Sequence, residues 1–243
     1  SLDCVEIKER KLSMKVLITG STGMVGKAVC LECLEDPLIS EIVLINRSSC
    51  GIENPKIREI IHQDFFDLSS VQSEFSNMDA CFFCMGVSVA GMSEEEYRKI
   101  TYDLTLYFAQ VFISVSPKAI FTYVSGEYTD STETGRVMWA RVKGKTENAI
   151  MAMEFTKAYL LRPGYIHPMK GIRSRTKLYA ILYDVLGIFY PIIKWISPHK
   201  VTTSVNVGLA HIELLNGCNK RILHAVEINE LAERNHLRRA RKS

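Results

Sequence analysis

The stretch from Lys15 to Gly26 joins a short apolar run to three glycines at intervals of three residues. Val16, Leu17 and Ile18 have the character of a strand that is buried on both faces of a parallel sheet. The glycines end this strand, and they allow a diphosphate to approach the backbone and the next helix to pack closely. The stretch therefore predicts a strand, a tight turn and the start of a helix that binds a pyrophosphate.

The amides of this turn are predicted to hold a dinucleotide. The first N–H groups of a helix have no intrahelical partner and lie at the positive end of the helix dipole, so they attract an anion. The residues assigned to the cofactor here are Gly20, Ser21, Thr22, Gly23, Met24, Val25 and Gly26, with the two hydroxyls as additional donors. Glycine-rich turns occur in many folds, so the alternative is a purely structural turn.

Apolar runs and helical periodicity alternate along the chain that follows. Further strands are predicted at Ile42 to Ile45, Ile57 to Ile61, Asp79 to Cys84, Ala119 to Val124 and Lys157 to Leu161. Helices are predicted from Met24 to about Leu34, from Ser69, from Ser93 to about Val115 and from Met138 to Phe155. Such alternation is typical of one twisted parallel sheet with helices on both faces. We therefore expect an α/β fold with a Rossmann-type doubly wound sheet.

The pattern becomes helix-rich beyond Gly171 and predicts a small helical C-terminal cap on the substrate side. Its parts are Lys177 to Ile196, Ser204 to Leu215, a short apolar run at Arg221 to Leu223 and a helix near Glu230. Leu178 to Ile196 is very apolar, but Asp184, Pro191 and Lys194 interrupt it, which argues against a membrane span. It either lines an apolar substrate pocket or lies on a membrane surface. The predicted organisation is an extension over 1–13, one domain over 14–232 and a basic tail over 233–243.

The formal net charge of +3 is small, and five basic residues of the tail contribute to it, namely Arg234, Arg238, Arg239, Arg241 and Lys242. The body of the chain is therefore close to neutral, which argues against nucleic acid as a partner. The tail is interpreted as a solvated end, with a partner or an anionic membrane surface as the alternative.

Seven cysteines are scattered through the predicted helices and strands. An odd number of cysteines outside loops is typical of free thiols in a reducing compartment, so a cytoplasmic location is predicted. Two C-x-x-C pairs, Cys30/Cys33 and Cys81/Cys84, lack nearby histidines, and no metal site is predicted. Charges throughout the first thirteen residues argue against a secretory signal.

Arg47 lies where a dinucleotide fold carries the residue that reads the adenosine ribose. An acid there would repel a 2′-phosphate, whereas a guanidinium pairs with it, so the sequence favours NADP over NAD as the cofactor. The alternative is an exposed loop arginine. Asp64 is assigned to the adenine amino group and Phe65 to the ring, although Asp67 or Ser69 can instead cap the next helix.

Three further strand ends are assigned to the same edge of the sheet. Met85-Gly86 follows the fourth strand and allows close approach to the cofactor ribose. Ser125 follows the fifth strand, and Pro163-Gly164 follows the sixth. All of these are predicted to line the ligand cleft.

Taken together, these motifs resemble the extended or atypical branch of the short-chain dehydrogenase/reductase superfamily, the NAD(P)-dependent epimerase/dehydratase-like proteins. The matching residues are T-G-S-T-G-M-V-G from Thr19, Met85-Gly86, Ser125, V-K-G-K-T-E from Val142 and L-R-P-G from Leu161. The resemblance implies that Ser125 polarises the substrate oxygen and that Lys143 holds the nicotinamide ribose. It also implies an oxidoreductase or epimerase-like activity.

The resemblance breaks at Trp139, which occupies the position of the superfamily's catalytic tyrosine, four residues before Lys143. An indole N–H donates a hydrogen bond but does not shuttle a proton near neutral pH. Three readings stay open: another phenol such as Tyr128 or Tyr165 supplies the proton, water or substrate supplies it, or the protein is a non-catalytic NADP-binding regulator. The predicted partner is a modestly hydrophobic small molecule, and the protein is expected to be a monomer or a homodimer.

Overall fold

Seven parallel strands form the central sheet of the protein, whose computed structural model describes residues 13–172 and 197–241. In chain order the strands are β1 (Met14–Thr19), β2 (Ile39–Asn46), β3 (Ile57–Ile61), β4 (Ala80–Phe83), β5 (Ile120–Val124), β6 (Lys157–Arg162), β7 (Tyr165–His167), β8 (Val201–Thr203) and β9 (Ile222–His224). The sheet order is β3-β2-β1-β4-β5-β6-β9, and β7 pairs with β8 in a separate sheet. The direction of winding reverses between β1 and β4, where open α/β sheets bind ligands. The predicted Rossmann-type fold is confirmed.

Helices flank this sheet along the described part of the chain. They are α1 (Met24–Glu35), α2 (Glu94–Arg98), α3 (Leu104–Val115), α4 (Met138–Ala152), α5 (Ser204–Leu214) and α6 (Ala225–Ala240). Ser93 and Glu96 form a capping box at the start of α2, and a π-helical turn joins α2 to α3. The helix predicted from Ser69 is instead a 3-10 turn over Gln72–Phe75, because Asp67 accepts the Ser69 amide at 3.0 Å in a local turn.

The core has two layers because alternate residues of a strand face opposite sides of the sheet. Leu17 of β1 packs on one side with Phe83 and Phe108, whereas Val16 and Ile18 pack on the other side. These strands are buried on both faces, which explains why they read as unbroken apolar runs.

The C-terminal helices complete the fold, and the run predicted at Arg221 to Leu223 forms β9, the seventh strand of the sheet. α5 packs against α1 so closely that a Cβ on Gly208 would lie 2.6 Å from the Glu32 side chain. Residues 177–196, predicted as a helix with a pocket or membrane role, lie outside the described residues. None of the helices over 13–172 and 197–241 has the length and apolar character needed to cross a bilayer.

Two residues of the basic tail, Arg238 and Arg239, are paired with acids of the fold, so the interpretation as a solvated end is wrong for them, whereas Arg234 and Arg241 are exposed. α6 continues to Ala240, and Arg238 donates to the buried Asp36 carboxylate at 2.7 Å. Arg239 donates to the same carboxylate at 3.0 Å. Two further acids join them, Glu213 of α5 with Arg238 and Glu32 of α1 with Arg239. We call Glu32, Asp36, Glu213, Arg238 and Arg239 the C-terminal ion-pair network.

Candidate functional site

The turn between β1 and α1 is built so that only glycine fits at its critical positions. Gly20 has φ +68°, and a Cβ there would lie 2.8 Å from the Cys84 carbonyl oxygen. A Cβ on Gly26 would lie 2.3 Å from the Gly20 oxygen, so α1 packs directly on the turn. Gly23 caps α1 without any side-chain hydrogen bond, which leaves the first amides of the helix available to an anion.

Two adjoining cavities open above this turn. The larger has a volume of about 730 Å³ and the smaller about 260 Å³. They share Gly23, Met24 and the strand end from Cys84 to Gly86 as lining. A cleft with a glycine turn at its midpoint and a chamber on either side has the arrangement that an extended dinucleotide needs, with its pyrophosphate at the turn and one nucleoside in each chamber.

The smaller cavity contains residues that the sequence assigns to the adenosine end of the cofactor. Thr22, Arg47 and Phe65 line it, as the sequence predicts for cofactor-binding residues. Asn46, beside Arg47, does not present its amide to the cavity as a free group, because its Nδ2 donates to Ser21 Oγ at 2.7 Å and to Glu59 Oε1 at 2.8 Å. The exposed Arg47 guanidinium is therefore the charged group that this wall offers to a ligand.

Two residues that the sequence assigns to the cofactor at this end form hydrogen bonds within the protein. Asp64 does not line the cavity, and its Oδ1 accepts the Phe66 amide at 2.8 Å, so it stabilises the turn after β3. Ser21 is fully buried and its hydroxyl is hydrogen-bonded to Asn46 at 3.0 Å. The Ser21 hydroxyl is therefore not available to a cofactor, whereas the adenine contact of Asp64 stays a prediction. Short polar side chains after a strand often bond to nearby backbone or to each other.

The larger cavity brings together the residues that the sequence assigns to the reacting end of the cofactor. Ser125, Tyr128, Lys143 and, at the position of the usual tyrosine, Trp139 all line it. Lys143 Nζ donates to the backbone oxygen of Ser125, which fixes the ammonium under the end of β5. Burial lowers the pKa of Lys143 from 10.5 to about 8, although nearby Glu147 opposes this shift. The lysine thus lies at the cavity wall under the end of β5, and its charge is lost in a mildly alkaline solution.

A buried carboxylate below Ser125 was not identified from the sequence. Glu147 lies one helical turn after Lys143 and is paired with Arg162 of β6, whose Nε donates to its two oxygens at 3.0 and 3.1 Å. Ser125 Oγ also donates to Glu147. The single hydroxyl proton of Ser125 therefore points into the protein, and the oxygen offers the cavity an acceptor. The matched motifs V-K-G-K-T-E and L-R-P-G contain both residues, but their pairing needs the fold.

Tyr128 belongs to the loop after β5 and is 67% exposed at the rim of the larger cavity. Its phenol oxygen accepts a hydrogen bond from Lys200 Nζ at 2.8 Å. Tyr165, the other phenol considered from the sequence, lines the same cavity, as do Pro163 and Gly164. A Cβ on Gly164 would lie 2.2 Å from the Lys200 oxygen, so this glycine lets the segment before β8 cross the L-R-P-G turn.

The residues present fit a nicotinamide dinucleotide. Gly23 leaves the shared part of the two cavities without a Cβ where a pyrophosphate must approach, an arginine lines one chamber, and a lysine lines the other. Across the described ranges, no cluster of His, Cys, Asp and Glu has the arrangement of a metal site. The fold and cleft define an NAD(P)-binding Rossmann protein.

The chain belongs to the NAD dependent epimerase/dehydratase family, whose model matches residues 16–138. It is 24% identical to Protein HTATIP2 of Rattus norvegicus over 218 residues, 86% of this chain and 88% of that protein. It is 26% identical to "Protein fmp52, mitochondrial" of Emericella nidulans over 214 residues, 83% of this chain and 89% of the relative. The structure of a UDP-glucuronic acid 4-epimerase from Bacillus cereus in complex with NAD superposes with a TM-score of 0.61 at 13% identity, covering 87% and 76% of the two chains.

The prediction of a cytoplasmic location is wrong by this comparison, since fmp52 relatives from several fungi carry a mitochondrial designation. The prediction rested on scattered cysteines. In the structure Cys30, Cys33 and Cys81 are buried free thiols, and burial raises the pKa of each of them. Such thiols pack as small apolar groups, so they carry no information about which compartment surrounds the protein.

Proposed function

We propose that the protein is an NADP-dependent oxidoreductase that acts on a small, modestly hydrophobic carbonyl or alcohol. The observation that carries this proposal is the cleft itself, with Arg47 in one chamber, the glycine turn at its centre and Lys143 in the other. Val87, Val124, Ile166 and Val201 give the larger chamber an apolar lining, which supports a substrate with little charge.

Each end of the cleft has a defined task in this proposal. A bound NADPH would supply one hydride, which carries both electrons of the reduction, to a substrate carbonyl. The amides after Gly23 bind the pyrophosphate, and Arg47 pairs with the 2′-phosphate. Lys143 donates to the hydroxyls of the nicotinamide ribose, since it needs only charge and reach for that contact. The apolar walls exclude water from the reacting atoms.

Arg47→Asp tests the preference for NADP. We expect the affinity for NADPH to fall at least about tenfold and the affinity for NADH to change less than about threefold, because an ion pair with the 2′-phosphate is replaced by repulsion. Nucleotide fluorescence titrations measure both. Arg241→Asp makes the same change in net charge at an exposed position just after α6 and serves as the control. Equal losses for NADPH and NADH would show that Arg47 does not read the 2′-phosphate.

The lowered pKa of Lys143 predicts how the binding of NADPH depends on pH. An anionic nucleotide favours the ammonium, and this cation is lost as the pH rises through about 8. We therefore expect the dissociation constant of NADPH to rise about fivefold or more between about pH 7 and pH 9.5. Lys143→Met should bind weakly with a flat pH profile, while Lys145→Met on the exposed side of α4 should behave as wild type. A wild-type profile in Lys143→Met would contradict the assignment.

A non-catalytic NADP-binding regulator is the second candidate. Two observations favour it: Trp139 lines the cavity where the superfamily has its phenol, and the Ser125 proton is directed to Glu147. A panel of aldehydes, ketones and quinones with NADPH separates the candidates. Turnover that Lys143→Ala abolishes supports the oxidoreductase, and nucleotide binding without turnover across the panel supports the regulator.

A further inference from the structure

We propose that Tyr128 and Lys200 form an acid–base couple that replaces the usual one. The Tyr128 phenol exchanges a proton with the substrate oxygen, and Lys200 holds the phenol oxygen by a hydrogen bond and returns its proton. This inference rests on the proposed oxidoreductase function. It assigns a role to Lys200, which no motif in the sequence indicates, and it identifies the group that replaces the phenol missing at Trp139.

Four of the other polar side chains that line the larger cavity are hydrogen-bonded elsewhere or do not ionise near neutral pH. Trp139 has only an indole N–H, which does not ionise near neutral pH. The Ser125 hydroxyl donates a hydrogen bond to Glu147, and Lys143 donates one to the Ser125 backbone oxygen. Glu127 is paired with His224 Nδ1 at 2.9 Å. Tyr128 differs from these groups because its oxygen accepts from a cation and keeps its own proton for a ligand.

Lys200 is placed to stabilise the phenolate that forms when this proton leaves. Its Nζ lies 2.8 Å from the phenol oxygen and 5.1 Å from the ring centroid. The hydrogen bond and the charge of the Tyr128 oxygen raise the pKa of Lys200, so the ammonium persists well above neutral pH. A cation held at hydrogen-bond distance favours the anionic form of an acid, which is the contribution that a lysine makes in the superfamily's own couple.

The backbone at Tyr128 adopts an unfavourable conformation, and the surrounding loops fix it there. Tyr128 has φ +66°, a left-handed conformation that L-residues seldom adopt. The loop around it is fixed by the Glu127 amide, which donates to the Pro163 oxygen at 3.0 Å, and by Thr129 Oγ1, which donates to the Gly126 oxygen at 2.8 Å. On the other side, Val201 pairs with Tyr165 between β8 and β7. Unfavourable backbone conformations that the surrounding structure enforces are concentrated at functional sites.

Reduction of a carbonyl adds one hydride to the carbon and one proton to the oxygen. As the hydride adds to the carbonyl carbon, the carbonyl π pair moves to oxygen and takes the Tyr128 proton, leaving a phenolate. Lys200 then returns a proton to the phenolate and takes one from water. Alcohol oxidation runs through the same groups in reverse, with Tyr128 as the acceptor of the hydroxyl proton.

Matched variants test the couple. Tyr102 and Lys145 make a second tyrosine–lysine contact, with Nζ 5.1 Å from the ring, but neither residue lines the cavity. We expect Tyr128→Phe to lower kcat for NADPH-dependent reduction of 9,10-phenanthrenequinone or the best aldehyde of the panel by about 100-fold or more. Lys200→Met should lower it by about tenfold, and Lys200→Arg should recover part of the loss. Tyr102→Phe and Lys145→Met should keep wild-type kcat, and all variants should keep the wild-type affinity for NADPH.

A readout without turnover tests the contact itself. In the apo protein with ¹³C-dimethylated lysines, the NMR signal of Lys200, assigned from its absence in Lys200→Arg, should titrate at lower pH after Tyr128→Phe. An unmoved signal, or turnover that survives in Tyr128→Phe, would overturn the Tyr128–Lys200 assignment alone. A loss confined to Tyr165→Phe would do the same. NADPH binding by the wild type without turnover of any panel substrate would overturn the proposed activity together with this inference.

Discussion

Gly26→Ala is expected to abolish dinucleotide binding and to destabilise the fold. The new Cβ would lie 2.3 Å from the Gly20 oxygen and 2.8 Å from the Ser21 nitrogen, all backbone atoms that cannot rotate away. α1 must then move off the turn, which carries its first amides away from the pyrophosphate. Overpacking of this kind costs about 3 kcal/mol, or about 6 to 12 °C in Tm for a chain of this size. Thermal unfolding with and without excess NADPH measures both effects.

Gly23→Ala is the comparison that separates binding from folding. Its Cβ would lie 3.3 Å from the Gly20 oxygen and meets no other atom within 4 Å, so the fold should tolerate it. The methyl group would nevertheless enter the shared part of the two cavities, and NADPH affinity should fall about tenfold or more. Normal NADPH binding by Gly26→Ala would show that the close packing of α1 on the turn is not what positions the anion site.

Asp36→Asn is expected to cost about 3 to 5 kcal/mol of stability, because it leaves two arginines facing a neutral group in a buried site. The Asp36 side chain is fully buried, and the side chain of Arg238 is 9% exposed. Urea unfolding followed by circular dichroism measures the loss. Glu41→Gln breaks the partly exposed Lys15–Glu41 pair of 2.9 Å and should cost less than about 1 kcal/mol. Equal small losses would show that the C-terminal ion-pair network contributes nothing beyond a surface pair.

The same substitution predicts a dependence on pH. Burial raises the pKa of Asp36, but hydrogen bonds from Arg238, the Leu38 amide and Arg239 outweigh it, so the pKa lies below its ordinary value of 3.8. A carboxyl with a lowered pKa in the folded state contributes stability above 3.8, and this contribution is lost as the pH falls through the folded pKa. The stability difference between wild type and Asp36→Asn should therefore shrink in acid. A constant difference down to about pH 2.5 would contradict a charged Asp36.

The sequence predicts the parts of the site that depend on backbone and strand order. The turn at Gly20 to Gly26 and the chambers at Arg47 and Lys143 follow from glycine spacing and from strand ends that meet at one edge of a parallel sheet. These features are local or follow from topology, so a single sequence is sufficient to locate them.

Side-chain pairing could not be predicted in the same way. Asp64 and Ser21 are polar residues that follow strands ending near the cleft, yet the side chain of each is hydrogen-bonded within the protein. Glu147 and Arg162 are fifteen residues apart and meet only because α4 crosses over β6. Which partner a carboxylate or hydroxyl chooses depends on distances of a few ångströms across elements, and no periodicity encodes that choice.

The prediction of a solvated C-terminus fails at Arg238 and Arg239 for a related reason. Charge clusters near a chain end are usually solvated, and the sequence carries no sign that Arg238 returns to Asp36, 202 residues earlier. In the sequence, Asp36 before Pro37 indicates only that α1 ends there. Its burial becomes evident only when α5 and α6 are packed against that helix.

The link between Asp36 and Arg238 also bears on how the protein is made. A nascent chain released from the ribosome only as far as α5 already contains the nucleotide-binding turn and every strand of the sheet except β9. It lacks α6, so Asp36 has neither Arg238 nor Arg239 to pair with, although α5 is already present to pack on α1. The helix that carries the nucleotide-binding turn therefore reaches its final stability only after α6 has been made.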